Sequence, residues 1–263
     1  MHIVVCIKQV PDTANLKFDA ASGSIQSGTE MMMNPFCEYA VETAIRLKEA
    51  QEGSKVSVFT VGSAQAKEVL KRAVAMGADE AYLVSDDAFN GADTWATGYT
   101  LGQAIQKYAP DYTMILCGQL STDGMNGITG PAMAEFLGIP SITFCKAVAL
   151  KDAQTLTVNR ETERGIEVYE MTMPGLIGVM KCDYEPRIPS IKGVMKANRT
   201  EIPTITMADL GLTADKVGYQ GSPTTVSKTW QKPKKQGGLK VDGSNPDVAV
   251  QQLIGFLKEQ KVL

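Results

Sequence analysis

The chain has 263 residues, 44% hydrophobic and 21% charged, with a net charge of −3; it is long enough for one large core with an appendage and has no basic excess for nucleic acid. Its five cysteines (Cys6, Cys37, Cys117, Cys145, Cys182) show no CxxC spacing and its single histidine is His2, which argues against a disulfide framework, a metal or iron–sulfur site and His-based triads. No run reaches membrane-span length and the opening MHIVVCIKQV lacks a signal peptide's features, so a reducing, cytoplasmic setting is expected, with any redox chemistry left to a bound cofactor.

His2 to Ile7 reads as a first strand, and Lys8-Gln9-Val10-Pro11-Asp12-Thr13 as a loop at its carboxyl end, where open parallel sheets bind ligands. Lys17 to Asp19 and Ser24 to Gln26, around Ser22-Gly23, read as a small hairpin. Asn34-Pro35 starts a helix, Asn as cap and Pro in the first turn, with Ala40, Val41, Ala44, Ile45 and Leu47 as its apolar face. Lys55 to Val61 is the next strand, Ala64 to Met76 the next helix and Ala81 to Val84 a third strand. After Gly91-Ala92, Asp93 or Thr94 caps a helix whose Ala96, Leu101, Ala104 and Ile105 face inward.

Tyr112 to Cys117 is the apolar run of a strand covered on both faces. A loop follows with Gly118, Gly124, Gly127 and Gly130 among Ser121, Thr122, Asp123 and Asn126, and Pro131 stands where a first helical residue would. Such a loop gathers backbone N–H groups before a positive helix end and holds phosphate without lysine. It matches neither GxGxxG nor GxxxxGK(S/T), so a plain βα connection stays open as the alternative. The βαβα alternation predicts an α/β fold: a mostly parallel, doubly wound sheet with helices on both faces.

After Pro140 the pattern changes. Ser141 to Leu150, Thr155 to Arg160, Ile166 to Met173 and Leu176 to Met180 are strands without intervening helices, expected as antiparallel edge strands. Beyond Lys181 regular structure thins: between Lys181 and Lys240 there are eleven Lys/Arg against five Asp/Glu, with five prolines. This predicts an extended C-terminal arm that lies on a partner, closed by an amphipathic helix from Asp247 to Lys258 with Val248, Leu253, Ile254 and Leu257 apolar. The expected division is an α/β domain carrying the glycine-rich loop over 1–182 and a partner-docking segment over 183–263.

Val158-Asn159-Arg160-Glu161-Thr162-Glu163-Arg164-Gly165-Ile166-Glu167, followed by Met173-Pro174-Gly175-Leu176-Ile177, resembles the signature hairpin of the small (beta) subunit of electron-transfer flavoproteins. So do Met33-Asn34-Pro35-Phe36-Cys37-Glu38, Ala75-Met76-Gly77-Ala78-Asp79, and Glu185-Pro186-Arg187 leading to Met195-Lys196-Ala197, in the same order over essentially the whole chain. The resemblance implies a heterodimer whose large (alpha) subunit holds one FAD while the small subunit holds its own nucleotide, FAD in electron-bifurcating members and AMP in simple ones. Carried over, the pocket is lined by Cys6, Lys8, Val10 and Pro11, by Asn34, Pro35, Phe36 and Cys37, by Val61 and Gly62, by Asp93, Thr94 and Thr97, and by Gly118, Gln119, Asp123, Gly124, Met125, Asn126, Gly127, Ile128 and Thr129. No catalytic or metal-ligating residue is implied.

Gln9 to Thr13 and Gly91 to Thr97 resemble bifurcating members, which favours FAD and, with it, NAD(H) as a transient substrate and ferredoxin as a further partner. Met125 to Ile128 depart from the bifurcating loop pattern DGDTAQVGP, so AMP stays open. Residues 183–199 resemble the family's loop for acyl-CoA or other flavin dehydrogenases, with Ile191 at the apolar tip and Arg187, Lys192, Met195 and Lys196 around it. A stress-protein-type nucleotide-binding regulatory module is the competing class; it needs neither the late strands nor the arm.

Overall fold

The computed structural model describes residues 1–12, 28–228, 230 and 238–263, and the backbone of 18–19 and 24–25. β1 (His2–Cys6) is buried throughout. Ile3 and Val5 face one core and Val4 and Cys6 the other, the two-residue alternation of a strand sandwiched between helices. β2 (Gln9–Pro11), β3 (Phe18–Asp19), β4 (Ser24–Ile25) and β5 (Met31–Met33) follow. The segment expected as a loop after β1 is in part a strand, because β2 finds an antiparallel backbone partner in β5. β3 pairs with β4 as the hairpin reading expects; Thr13, Lys17, Ser22, Gly23 and Gln26 lie outside the described residues.

Helix and strand then alternate through α1 (Pro35–Ala50), β6 (Lys55–Val61), α2 (Lys67–Met76), β7 (Glu80–Val84), α3 (Thr94–Tyr108), β8 (Met114–Gly118) and α4 (Thr129–Leu137). The expected apolar face of α1 is buried in full. A 3₁₀ turn over Ala64–Ala66 precedes α2, which therefore starts later than expected. β8 starts two residues after Tyr112, whose N–H closes a turn on Ala109 O. α4 starts at Thr129 and not at Pro131, which is tolerated two residues inside because the first-turn N–H groups have no intrahelical acceptor.

β9 (Ser141–Leu150), β10 (Thr155–Thr162), β11 (Gly165–Thr172) and β12 (Gly175–Val179) come next, then α5 (Ile191–Arg199), β13 (Thr204–Ile205), α6 (Met207–Leu210) and α7 (Pro246–Glu259). Nine strands form one sheet in the order β11-β10-β9-β12-β8-β1-β6-β7-β13. Within this sheet only β9, β10 and β11 pair antiparallel. β12, expected as an edge addition, lies between β9 and β8 and runs parallel to both. Its five buried residues need cover on both faces, which an edge position does not give. α1 and α2 cover one face and α3 and α4 the other, so the sheet is doubly wound.

Regular structure thins after Lys181 as expected, but the segment is anchored on the domain. α5 packs on α2, β13 extends the sheet beside β7, and Ile202, Ile205 and Val217 are buried. A low mean apolar content concealed these few anchors, which reach surfaces already formed by α2, β7 and the turn before α3. α7 matches the expected terminal helix and buries none of its residues.

Candidate functional site

β1 lies between β8 and β6. The chain leaves β1 on one side for β6 and β7 and returns on the other as β8, so the strand order reverses between β1 and β8 and opens a crevice at their carboxyl ends. Four residues knit it together. Asn34 N–H donates to Lys8 O at 2.9 Å. The Asn34 side chain is buried, donates Nδ2 to Leu120 O at 2.8 Å and accepts from Thr122 N–H at 3.2 Å. Asn34 is the N-cap of α1 as expected, its carbonyl accepting from Cys37 and Glu38 N–H, but its side chain makes no cap bond and reaches 86 residues along the chain to pin the glycine-rich loop. Gly118 lets α1 approach, since a Cβ there would lie 2.9 Å from Cys37 N and from Phe36. Lys8 Nζ reaches the loop from the other side, 2.8 and 2.7 Å from the two Asp123 oxygens. The loop thus works beside a lysine after all, one supplied by the end of β1.

Within the loop, Gln119 is buried and tied to β12 and β9 through Val179 O and Phe144 N–H. Gly127 has φ 67°, and a Cβ there would crowd Gln119 O at 3.1 Å, so it takes the left-handed turn that a side chain opposes. Met125 adopts φ 52°, and Met125 and Ile128 are exposed. Ile128 offers no side-chain cap to α4. The N–H groups of Asn126, Gly127, Ile128 and Thr129 have no acceptor among the described residues, and these residues lie at or just before the positive end of α4.

α3 starts beside α4. A Cβ at Gly98 would meet Met133 N at 3.0 Å and Thr129 O at 3.2 Å, so the two helix starts, Thr94 with Thr97 and Thr129, face the same end of the sheet. Asp93 caps α3 through Trp95 N–H and Ala96 N–H. Partial burial opposes its charged form, and bonds from Ala96 and Thr224 outweigh that, holding the carboxyl below the usual range. Val61 and Gly62 end β6 on the other side of β1. Val10 and Pro11 are buried in β2, and Pro35 and Phe36 are half-buried at the start of α1. Cys6 turns its thiol into the core against Met133 Sδ at 3.8 Å, so its side chain stands beneath the crevice and not in it. Burial raises the thiols of Cys6, Cys37 and Cys117, the last to about 12. All three are therefore neutral at pH 7, and no thiolate nucleophile adjoins the crevice.

Open amides at one helix start, a second helix start beside it and a lysine opposite form a donor set suited to a phosphate or diphosphate. Among the described residues no cluster of metal ligands occurs and no helix is long and apolar enough to cross a membrane.

The expected partner-facing residues lie on another face. Ile191 is 84% exposed, and Ile188, which sequence reasoning passed over, is 89% exposed. Met195 is exposed, and Lys192, Met195 and Lys196 line a shallow groove of about 370 Å³. Arg187 does not stand free beside them. Its guanidinium binds Glu42 Oε2 at 2.8 Å and Glu49 Oε1 at 2.6 Å on α1. Burial works against Glu42, yet Arg187 and Arg46 hold its carboxyl below the usual range. Tyr39 donates to Glu185 at 2.9 Å and Arg46 lies 3.9 Å over the Tyr184 ring, so residues 184–187 form a clamped base under an exposed apolar tip. Ser222 and Thr224, which hold Asp93 from the far end of the chain, were also missed; Gly-Ser-Pro-Thr reads locally only as a turn.

Fold and crevice together define a doubly wound α/β protein with a donor-lined crevice at its switch point. Residues 23–210 match the electron transfer flavoprotein domain. The chain is 42% identical over 271 residues to the electron transfer flavoprotein subunit beta of Megasphaera elsdenii, and 37% identical over 264 residues to the caffeyl-CoA reductase-Etf complex subunit CarD of Acetobacterium woodii, with 100% of both chains covered in each case. The corresponding subunit of Thermoanaerobacterium thermosaccharolyticum is 39% identical over 265 residues, again over the full length. The chain belongs to the electron transfer flavoprotein family, among its beta subunits.

Proposed function

We propose that the protein is the small subunit of a heterodimeric electron-transfer flavoprotein, that it binds FAD in the switch-point crevice, and that it serves electron bifurcation or confurcation between NADH, ferredoxin and a partner flavin dehydrogenase such as an acyl-CoA dehydrogenase. The observation that carries the reading is the loop from Gly118 to Thr129: open amides at the start of α4, pinned by Asn34 and faced by Lys8. FAD, when bound, supplies the hydride and single-electron chemistry that no side chain here can perform.

The chain's own residues bind, orient and shield. The amides of residues 126–129 donate to phosphate oxygens with the dipole of α4 behind them, and the start of α3 adds a second positive end. Lys8 offsets the charge of Asp123, so that an anion enters the crevice without facing a bare carboxylate. The loop's donors are backbone, so the side-chain departures at Met125 to Ile128 leave the phosphate cradle whole. Lys8 to Pro11, of which Val10 and Pro11 are buried, would border the ring system of a bound FAD on the β1 side of the crevice. The exposed Ile188 and Ile191 offer an apolar anchor ringed by lysines to the dehydrogenase.

The alternative is a structural AMP in the same crevice, which asks for one phosphate and no ring beside Lys8. Extraction of cofactors from the heterodimer purified without added nucleotide separates the two. Two FAD per heterodimer supports the bifurcating reading; one FAD and one AMP replaces it with simple electron transport.

A further inference from the structure

Resting on the nucleotide reading above, we infer that Ser222 and Thr224 are positioning residues for the phosphate-facing starts of α3 and α4, and that through them the C-terminal arm couples docking on the large subunit to nucleotide binding.

Residues 217–224 cross the start of α3 as a built unit. Val217 is buried, Tyr219 N–H donates to Asn90 O at 2.9 Å and Gly221 N–H to Val217 O at 2.9 Å. Gly218 has φ 57°, and a Cβ on it would fall on Ala88 O; one on Gly221 would fall on Lys216 and Val217. Glycine is what allows these backbones to cross so closely.

The crossing ends on one carboxylate. Ser222 Oγ accepts from Asp93 N–H at 2.8 Å and donates to Gly218 O at 2.7 Å. Thr224 donates to Asp93 Oδ2 twice, from its N–H at 3.0 Å and its Oγ1 at 2.7 Å. Asp93 Oδ1 accepts from Trp95 N–H and Ala96 N–H at 2.9 and 3.0 Å. Four donors fill the carboxylate, so Asp93 is committed to capping α3 and anchoring the arm and contributes no side-chain contact to a ligand. What it controls is where the first turn of α3 sits. That turn carries Thr94 and Thr97, and through Gly98 it lies against Thr129 O and Met133 N at the start of α4. A shift of residues 222–224 is thereby passed to both helix starts.

The same segment leads outward. From Thr224 the chain runs without regular structure over 225–228, on the way to α7, which buries no residue and leaves Val248, Val250 and Leu253 about half exposed. An amphipathic helix in that state takes its cover from another surface, which in the proposed heterodimer is the large subunit. A groove of about 550 Å³ lies between Trp95 and residues 220–223, along the seam between this segment and α3. If docking favours the clasped state, nucleotide must favour docking by the same factor.

The test uses the heterodimer of the full chain with its large subunit, freed of nucleotide and titrated with FAD and, in parallel, AMP. Against wild type, the Ser222→Ala/Thr224→Val variant is expected to lose about 5-fold or more in affinity for whichever nucleotide wild type binds. Amide exchange at Trp95 and Ala96 should quicken while global unfolding is unmoved. Thr224→Ser should restore wild-type affinity where Thr224→Val does not, and nucleotide should slow subunit dissociation less in the double variant than in wild type. Wild-type affinity in the double variant, or unchanged exchange at Trp95 and Ala96, would overturn the inference and leave the nucleotide reading intact. A wild-type complex that takes up neither FAD nor AMP would overturn the nucleotide reading, and the coupling with it.

Discussion

Lys8 Nζ and Asp123 Oδ2 lie 2.7 Å apart and bridge the crevice between the end of β1 and the loop after β8. Partial burial opposes the charged form of Asp123, and Lys8 with Ser121 outweighs it, so the carboxyl sits below its usual range. A depressed carboxyl contributes stability that is complete above its unfolded value, about 3.9, and is lost as pH falls through the folded value. Because the pair is half open to solvent, Lys8→Met should cost no more than about 1 kcal/mol in denaturant unfolding at pH 7. The difference from wild type should close below about pH 4. Its larger effect should be on FAD affinity of the heterodimer, weaker by about tenfold, or ~1.4 kcal/mol. An unchanged affinity would remove Lys8 from the crevice's chemistry.

Asn34 is the loop's pin, and its loss leaves Leu120 O and Thr122 N–H without their partner. Asn34→Ala should destabilise the protein by about 1–3 kcal/mol, with faster amide exchange over 120–129. Asn34→Asp sets an acceptor against Leu120 O and should be at least as damaging. If Asn34→Ala instead shortens α1 and leaves the loop's exchange unaltered, its role is the helix cap expected from sequence.

The Arg187 fork joins residue 187 to a carboxylate that is 2% exposed. Removing the cation strands part of that charge, so Arg187→Met should cost on the order of 3 kcal/mol at pH 7. Glu42 is held low, so the contribution is present above its unfolded value of about 4.3 and fades as pH falls through the folded one. Melting curves of wild type and variant should therefore converge in acid. A constant difference from pH 7 to pH 3 would place the effect in packing and not in charge.

At the tip, Ile188→Ala and Ile191→Ala should each weaken dehydrogenase binding by about 1–3 kcal/mol, as for a hydrophobic interface anchor, with flavin content unchanged. Steady-state transfer at limiting dehydrogenase concentration reads this directly. Wild-type rates in both variants would move the docking surface elsewhere.

The alternation of β1, α1, β6, α2, β7, α3 and β8 was legible in the sequence because periodicity, caps and breakers act over a few residues; Asp93 capping α3 and Pro35 opening α1 are of that kind. The family, too, was legible, in short motifs spread along the chain. Only the tertiary structure decided that β12 threads between β9 and β8, that Arg187 spends its charge on Glu42, that the Asn34 side chain holds a loop in place of capping its helix, and that Thr224 reaches back to Asp93. Each of those partnerships joins groups far apart in the chain, 145 residues for Arg187 and Glu42 and 131 for Thr224 and Asp93. A side chain's choice among many polar partners has no local signature; it is made when packing brings one of them near and excludes water from the rest.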